Sequence, residues 1–430
     1  MLSLLRRHKF PLLLAGALII LEILLTLFIQ SRAGADRVWL GDYVWNTSDQ
    51  AVYLTYIEQA KRGAIFFHNL YAPPEAKAFI HPAYIPIGWI AWLGHLTAQQ
   101  AHEVGRWIVT LIAILLFHTI TRKLTKTERE ASIATATITL GGGLGWMLVV
   151  HQGMKGFFPH EFFVPDVSSE SFFFPTLLGG AHIPLSMALL VYSLHRLWQD
   201  VTARKASWQS ILSTSILFLV HPYFVPVIGL YGLMVVCLQR LPIRNILRLA
   251  LSYLPFAALT IFPHAWSYLH DPYRRFLLDT NVLELAPFTA NLFSVLPWII
   301  FIAWRIRRDP LREEERWILA WMATTVIIIF IPSIHFKRKV LEGMGIGVML
   351  LALPVWFRIL AWARRTGWIA HASMWIMIVL SPFSIIQSQL AWVTNPAMGR
   401  GDEFFVSQDT AKAWKWIREN TPADTLIFPD

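Results

Sequence analysis

Long apolar stretches recur along the chain, and the polar segments between them alternate in kind. One set is short and basic; the other is longer, acidic and rich in Pro and aromatic residues. A helix needs about 20 apolar residues to cross the hydrocarbon core. Runs near that length fall at 10–30, 105–121, 131–150, 176–196, 246–263, 288–304, 317–333, 341–357 and 368–390. The stretch 208–238 holds two shorter spans broken at His221-Pro222, where proline removes a backbone donor. The first run is too long for a signal-peptide core and its flank lacks a small-residue cleavage site, so it reads as a retained first span. Residues 83–97 are short and carry Pro86, which leaves open a span, a re-entrant piece or an interfacial helix.

Composition narrows the class. Of 430 residues, 55% are hydrophobic and 15% charged, against about 25% charged in soluble domains. An ordinary soluble globule, a disordered chain and a collagen-like fibre are excluded. The single cysteine, Cys237, excludes an internal disulfide framework and a CxxC metal or redox motif.

The net charge of +10 takes its meaning from its placement. If 83–97 does not cross, segments 1–9, 122–130, 196–207, 239–248, 305–316 and 358–367 share one side and carry 21 Lys and Arg in 62 residues. The opposite segments 31–104, 151–175, 264–287, 334–340 and 391–430 carry 15 in 170. Basic loops stay in the cytoplasm. The expectation is an all-α polytopic protein of the cell (inner or plasma) membrane, with about 11 transmembrane helices in a range of 10–13. Its N-terminus is cytoplasmic and its C-terminus external. Residues 1–390 form the transmembrane domain, with outer loops at 31–104 and 151–175, and 391–430 begin an external soluble segment. The basic excess is then a topology signal, so nucleic acid is not an expected partner. Of 27 acidic residues, 19 face outward or sit at outer helix ends, and chemistry is sought there.

In the first outer loop, "NTSDQAVYLTYIEQAKRG" reads as one interfacial helix capped by Thr47 or Ser48, with Lys61, Arg62 and Gly63 at its end. Asp49, Tyr53 and Tyr56 share a face. Asp49 is either a favourable first-turn acid or a carboxylate usable as a base at the membrane surface. His81 follows in a Pro-rich connection, as a ligand, an acid or an interfacial polar residue. The second outer loop holds Glu161, Asp166 and Glu170 with His160, which are able to bind a divalent cation through oxygen or to form a solvated rim. His182, near the outer end of the next span, points to a site or to helix packing. Lys337, Arg338 and Lys339 form a basic cluster against the positive-inside trend, which fits a lipid phosphate or snorkelling to anionic headgroups. "GGGLG" at 141–145 lies in an apolar span without the lysine of a phosphate loop and reads as helix packing or flexibility. The tail "SQDTAKAWKWIRENTPADTLIF" reads as an amphipathic helix capped by Asp409, a Pro turn and the start of a strand.

This order of features resembles the GT-C glycosyltransferases, polytopic enzymes that use lipid-phosphate-linked sugars, such as protein O-mannosyltransferases and lipid A aminoarabinose transferases. The segments that carry the resemblance are "SDQAVYLTYIEQAKRGAIFFHNLY", "PDVSSESFFFPTLLGGAHIPLSMALL", "FKRKVLEGMGI" and "AWKWIRENTPADTLI". It implies a GT-C-like bundle with interfacial helices in the first outer loop, followed by an external domain of which this chain has only the beginning. Asp49 matches the catalytic acid, and Asp166 and Glu170 the acceptor-site or metal-site acids. Arg338 and Lys339 match the lipid-facing basic stretch, and Arg106 is a second phosphate contact. Tyr53, His81 and His182 support the site. A metal, Mg²⁺ or Mn²⁺, would be held by Asp49, Asp166 and Glu170. Many members carry Asp-Glu where this chain has Asp49-Gln50. The implied reaction moves a sugar from a polyprenyl-phosphate donor to a glycan, lipid or protein acceptor on the outer face, with membrane lipid as a further partner. The rival expectation is a polytopic transporter or lipid-linked glycan flippase.

Overall fold

A computed structural model describes residues 8–39, 47–70, 79–148, 171–273, 275–276, 285, 288–332, 334, 336–394 and 405–421. Apart from a two-stranded ribbon and one isolated bridge, its regular elements are helices. In chain order they are α1 (Lys9–Ser31), β1 (Arg37–Trp39), α2 (Thr47–Lys61), α3 (Tyr84–Leu93), α4 (Ala98–Leu124), α5 (Glu128–Leu140), α6 (His182–Ala203), α7 (Trp208–Val220) and α8 (Val225–Leu238). There follow α9 (Ile243–His270), α10 (Phe288–Ile306), α11 (Arg316–Ile329), α12 (Met344–Thr366), α13 (Trp368–Thr394), β2 (Phe405–Ser407) and α14 (Gln408–Asn420). The protein is thus a polytopic helical membrane protein.

Six helices among the described residues are long and apolar enough to cross a membrane: α1, α4, Glu128–Leu148, α9, Thr289–Ile306 and Lys337–Thr366. A pair bent by 48° within α13, Trp368–Ile376 and Ile378–Gln387, makes up to seven. The other expected spans differ for physical reasons. α6 has 22 residues but carries His182, His195, Arg196 and Asp200, and is buried inside the bundle. α7, α8 and α11 have 13, 14 and 14 residues. At 1.5 Å per residue each covers about 20 Å, short of a hydrocarbon core of about 30 Å. α3 has ten residues, about 15 Å long, which suits an interfacial helix rather than a full span.

The exterior is apolar where lipid would lie. Leu247, Leu251, Leu259, Phe262 and Leu269 on α9 are exposed, as are Leu13, Ile20 and Leu24 on α1. In water such patches promote association; in a bilayer they are solvated by acyl chains. Inside, one cluster gathers Phe117, Phe173, Trp317, Trp321 and Trp356 from long and short helices alike. A second gathers Tyr56, Ile57, Phe67, Tyr84 and Ile87 from α2, α3 and the segment between them. α2 and α3 cross at Gly88, where a Cβ would strike Ala60. Gly63 ends α2 with φ +92, a left-handed turn that glycine adopts without steric cost. α5 breaks at the glycines, and the Gly142 carbonyl accepts a hydrogen bond from Trp298 Nε1 at 2.7 Å, so this run serves helix packing.

The ribbon is a feature the hydropathy pattern does not show. β1, just past α1, pairs antiparallel with β2, with Val38 opposite Val406. Ser407, rather than Asp409, caps α14, its Oγ accepting from Thr410 N at 3.0 Å. The strand expected after Pro422 lies outside the described residues, as do the side chains of Thr47 and Ser48.

Candidate active site

The two ends of the bundle differ in chemistry. At one, the carbonyl of Leu124 accepts from Arg312 Nη2 at 2.8 Å, and Arg305 and Arg312 both pair with Glu315. These residues belong to the basic segments that the sequence places together. The other end gathers the N-terminus of α6, the C-terminus of α7, the start of α12 and the interfacial pair α2 and α3.

That second end holds a chain of polar and aromatic groups. Tyr53, one turn after Asp49 on α2, places its hydroxyl 3.5 Å from Asp49 Oδ2. Withdrawal from water, reinforced by the Asp49 carboxylate, pushes the Tyr53 pKa up, so the phenol stays protonated. The Tyr53 ring stacks on Tyr84 at 5.1 Å and meets His182 edge-on at 4.9 Å. Tyr84, fully buried at the start of α3, shares a 2.9 Å hydrogen bond with His182 Nδ1. His81 lies 4.8 Å from the Tyr84 ring and 5.3 Å from the His182 ring. The series continues to His221 at 6.1 Å from His182. His221 Nε2 is 3.0 Å from Glu342 Oε2, whose other oxygen accepts from Lys339 Nζ at 2.9 Å.

Local sequence explains each position. His221 follows the end of α7 because Pro222 stops the helix there. Gly343, at φ +77, turns the chain from the basic segment into α12, leaving Glu342 fully buried beneath Lys339 and His221. A buried carboxylate needs paired or hydrogen-bonded partners, and here a lysine and a histidine stand on its two oxygens.

Five of the expected residues therefore meet: Asp49, Tyr53, His81, His182 and Lys339. Arg338, half-buried, precedes Lys339 in the same helical turn, Lys337–Val340. Asp166 and Glu170 lie outside the described residues, as do His160 and Glu161. Among the described residues no group of three or more His, Cys, Asp or Glu is arranged to hold a metal. Arg106 sits elsewhere. It is 1% exposed, with Nη1 3.1 Å from Glu103, Nη2 3.5 Å from Glu22 and Nε donating to the Leu177 carbonyl at 3.0 Å. Its guanidinium is engaged within the bundle. Tyr84, His221 and Glu342 were not singled out in the sequence. Tyr84 is the second residue of the ambiguous stretch 83–97, and His221 reads in the sequence only as a helix break. Comparison with protein-family models, with curated proteins and with solved structures returns no match to this chain.

Proposed function

We propose that the protein is a GT-C-like membrane glycosyltransferase that moves a sugar from a polyprenyl-phosphate donor to an acceptor on the outer face of the cell membrane. The observation that carries the reading is the meeting, at one end of the bundle, of the Asp49–Tyr53 pair with His81, His182 and the Lys339–Glu342 pair. In this reading Asp49 takes the proton of the acceptor hydroxyl as general base. The acceptor oxygen forms its bond to the anomeric carbon from one face. The bond to the phosphate oxygen breaks on the other, inverting the sugar. Lys339 and Arg338 stabilise the charge that gathers on the departing lipid phosphate. Tyr53, its protonated hydroxyl beside Asp49, orients the sugar, and the buried Tyr84 holds Tyr53 and His182 in place.

The reading includes a bundle of about 11 spans, in which α6, α7, α8 and α11 complete the set as short or polar crossings. It places the N-terminus in the cytoplasm and the cluster outside. Membranes containing the protein are expected to transfer sugar when given a panel of polyprenyl-phosphate sugars and an acceptor, and Asp49→Asn membranes to lose the transfer. No transfer from any donor by well-inserted protein would remove the reading. A second reading, transport or flipping of a lipid-linked glycan, rests on Glu22, Glu103 and Arg106, ionisable groups within candidate spans. It is favoured if translocation proceeds without transfer and Glu22→Gln abolishes it.

A further inference from the structure

The helices α6, α7, α8 and α9 surround a cavity of about 420 Å³ lined by no residue of the polar cluster, within the range of small-molecule sites. Its walls are apolar: Leu197, Phe218, Ile228, Leu249 and Ala257 contribute, and the space opens along Gly229 and Gly232 of α8. A Cβ at Gly229 would meet nothing within 4 Å, so the missing side chain leaves room rather than a packed crossing. At one end Tyr253 closes the wall, its hydroxyl donating to Asp200 Oδ2 at 2.6 Å, and Asp200 also accepts from Ser207 N.

Around that end stand five exposed cations: Arg204, Lys205, Arg240, Arg244 and Arg248. They come from the turn after α6, the turn after α8 and the first turns of α9. No Asp or Glu occurs between Asp200 and Asp271, and Asp200 is buried; the exposed carboxylates that approach this end are Glu313 and Glu314, which share a space with Thr202 and Ala203, leaving the five cations in excess. Two of the five are held at a conformational cost. Arg204 has φ +55 and Arg240 φ +48, left-handed positions just past a helix end where glycine is the usual residue. Topology alone asks for positive charge on this side, without requiring it at the two positions where glycine would relieve the backbone.

We propose that this cavity is a binding site for an anionic phospholipid, one acyl chain lying along Gly229 and Gly232 and the phosphate lying among Arg204, Lys205, Arg240, Arg244 and Arg248. Basic pockets between transmembrane helices favour such headgroups, and the cavity lies on a helix group whose outer face is apolar. The site is separate from the proposed catalytic cluster and independent of that reading.

The test uses the full chain in nanodiscs of mixed phosphatidylglycerol and phosphatidylcholine, with retained lipid identified by native mass spectrometry after transfer to detergent. Wild type is expected to retain phosphatidylglycerol over phosphatidylcholine by about tenfold or more, since each nearby cation adds to the attraction. The double variant Arg204→Gly, Arg240→Gly keeps both left-handed turns. It is expected to keep the fold and thermal midpoint while losing most of the preference. Gly229→Trp is expected to abolish retention by filling the cavity; if it fails to fold, Gly229→Leu fills part of the space and should weaken retention. Equal retention of the two lipids by wild type would overturn the proposal. So would an unchanged preference in the double glycine variant, or unchanged retention in well-folded Gly229→Trp or Gly229→Leu.

Discussion

At the scale of single residues, Asp49 carries the sharpest expectation. Asp49→Asn preserves size and helix position but removes the charge beside Tyr53. Transfer is expected to fall by at least about 100-fold, the lower end for a general base, with insertion unchanged. Turnover near wild type would return Asp49 to a first-turn acid. Arg338 is the second case. Arg338→Lys keeps the charge but loses the bidentate fork, and Arg338→Ala loses both. Activity is expected in the order wild type, Lys, Ala, with the Ala variant down more than about tenfold as a charge-assisted contact is lost. Donor-concentration kinetics check this; an Ala variant with wild-type donor kinetics would leave only a headgroup contact.

At the scale of elements, the site depends on how closely α2 lies on α3. Gly88 allows that approach, since a Cβ there would strike Ala60. Gly88→Ala is expected to cost about 1–3 kcal/mol by overpacking. Because the two helices present Tyr53 and Tyr84 to each other, it should also lower activity more than its stability loss explains. A thermal midpoint measured beside the transfer rate separates the two effects. At the other end, Glu315 pairs with Arg305 and Arg312 and joins α10 to α11. Burial alone would raise its pKa, but the hydrogen bonds from Arg312 and Arg305 prevail and hold it below the usual 4.5. A group with a depressed folded pKa stabilises the protein above its unfolded pKa, and that contribution is lost as pH falls through the folded value. Glu315→Gln should therefore destabilise at pH 7, by about 3–5 kcal/mol for a broken buried pair. The difference from wild type should shrink below the usual carboxyl range. A midpoint difference that stays constant from pH 7 to acid would show that the charge is not what stabilises this junction.

At the scale of the whole molecule, the two ends of the bundle should face opposite compartments. A reporter fused after Arg308 is expected in the cytoplasm and one after Asn395 outside. Both on one side would break the topology and detach the polar cluster from the outer face. The ribbon adds a long-range tie, since β1 follows the first span and β2 the last described long helix. It joins the beginning and the tail of the chain at the end where the sequence places its external segment.

Hydropathy alone determined the helical membrane class, the placement of the long apolar helices and the division of the chain into basic and acidic segments. It did so because transfer of apolar side chains to lipid and retention of Lys and Arg in the cytoplasm act on local composition. α2 was legible for the same reason, its length and final glycine being written in neighbouring residues. Asp49, Tyr53, His81, His182 and Lys339 were legible as candidates, each from its chemistry and its place near a helix end. What brought them together was not. The contacts of Tyr53 with His182, of Tyr84 with His182 and of His221 with Glu342 each join distant parts of the chain, and no periodicity encodes such pairs. Tertiary packing also decided that Arg106 is engaged by Glu22 of α1 and by the Leu177 carbonyl and that β1 finds β2. In each case the partner that satisfies a buried polar or backbone group lies in another element, so the three-dimensional fold alone could select it.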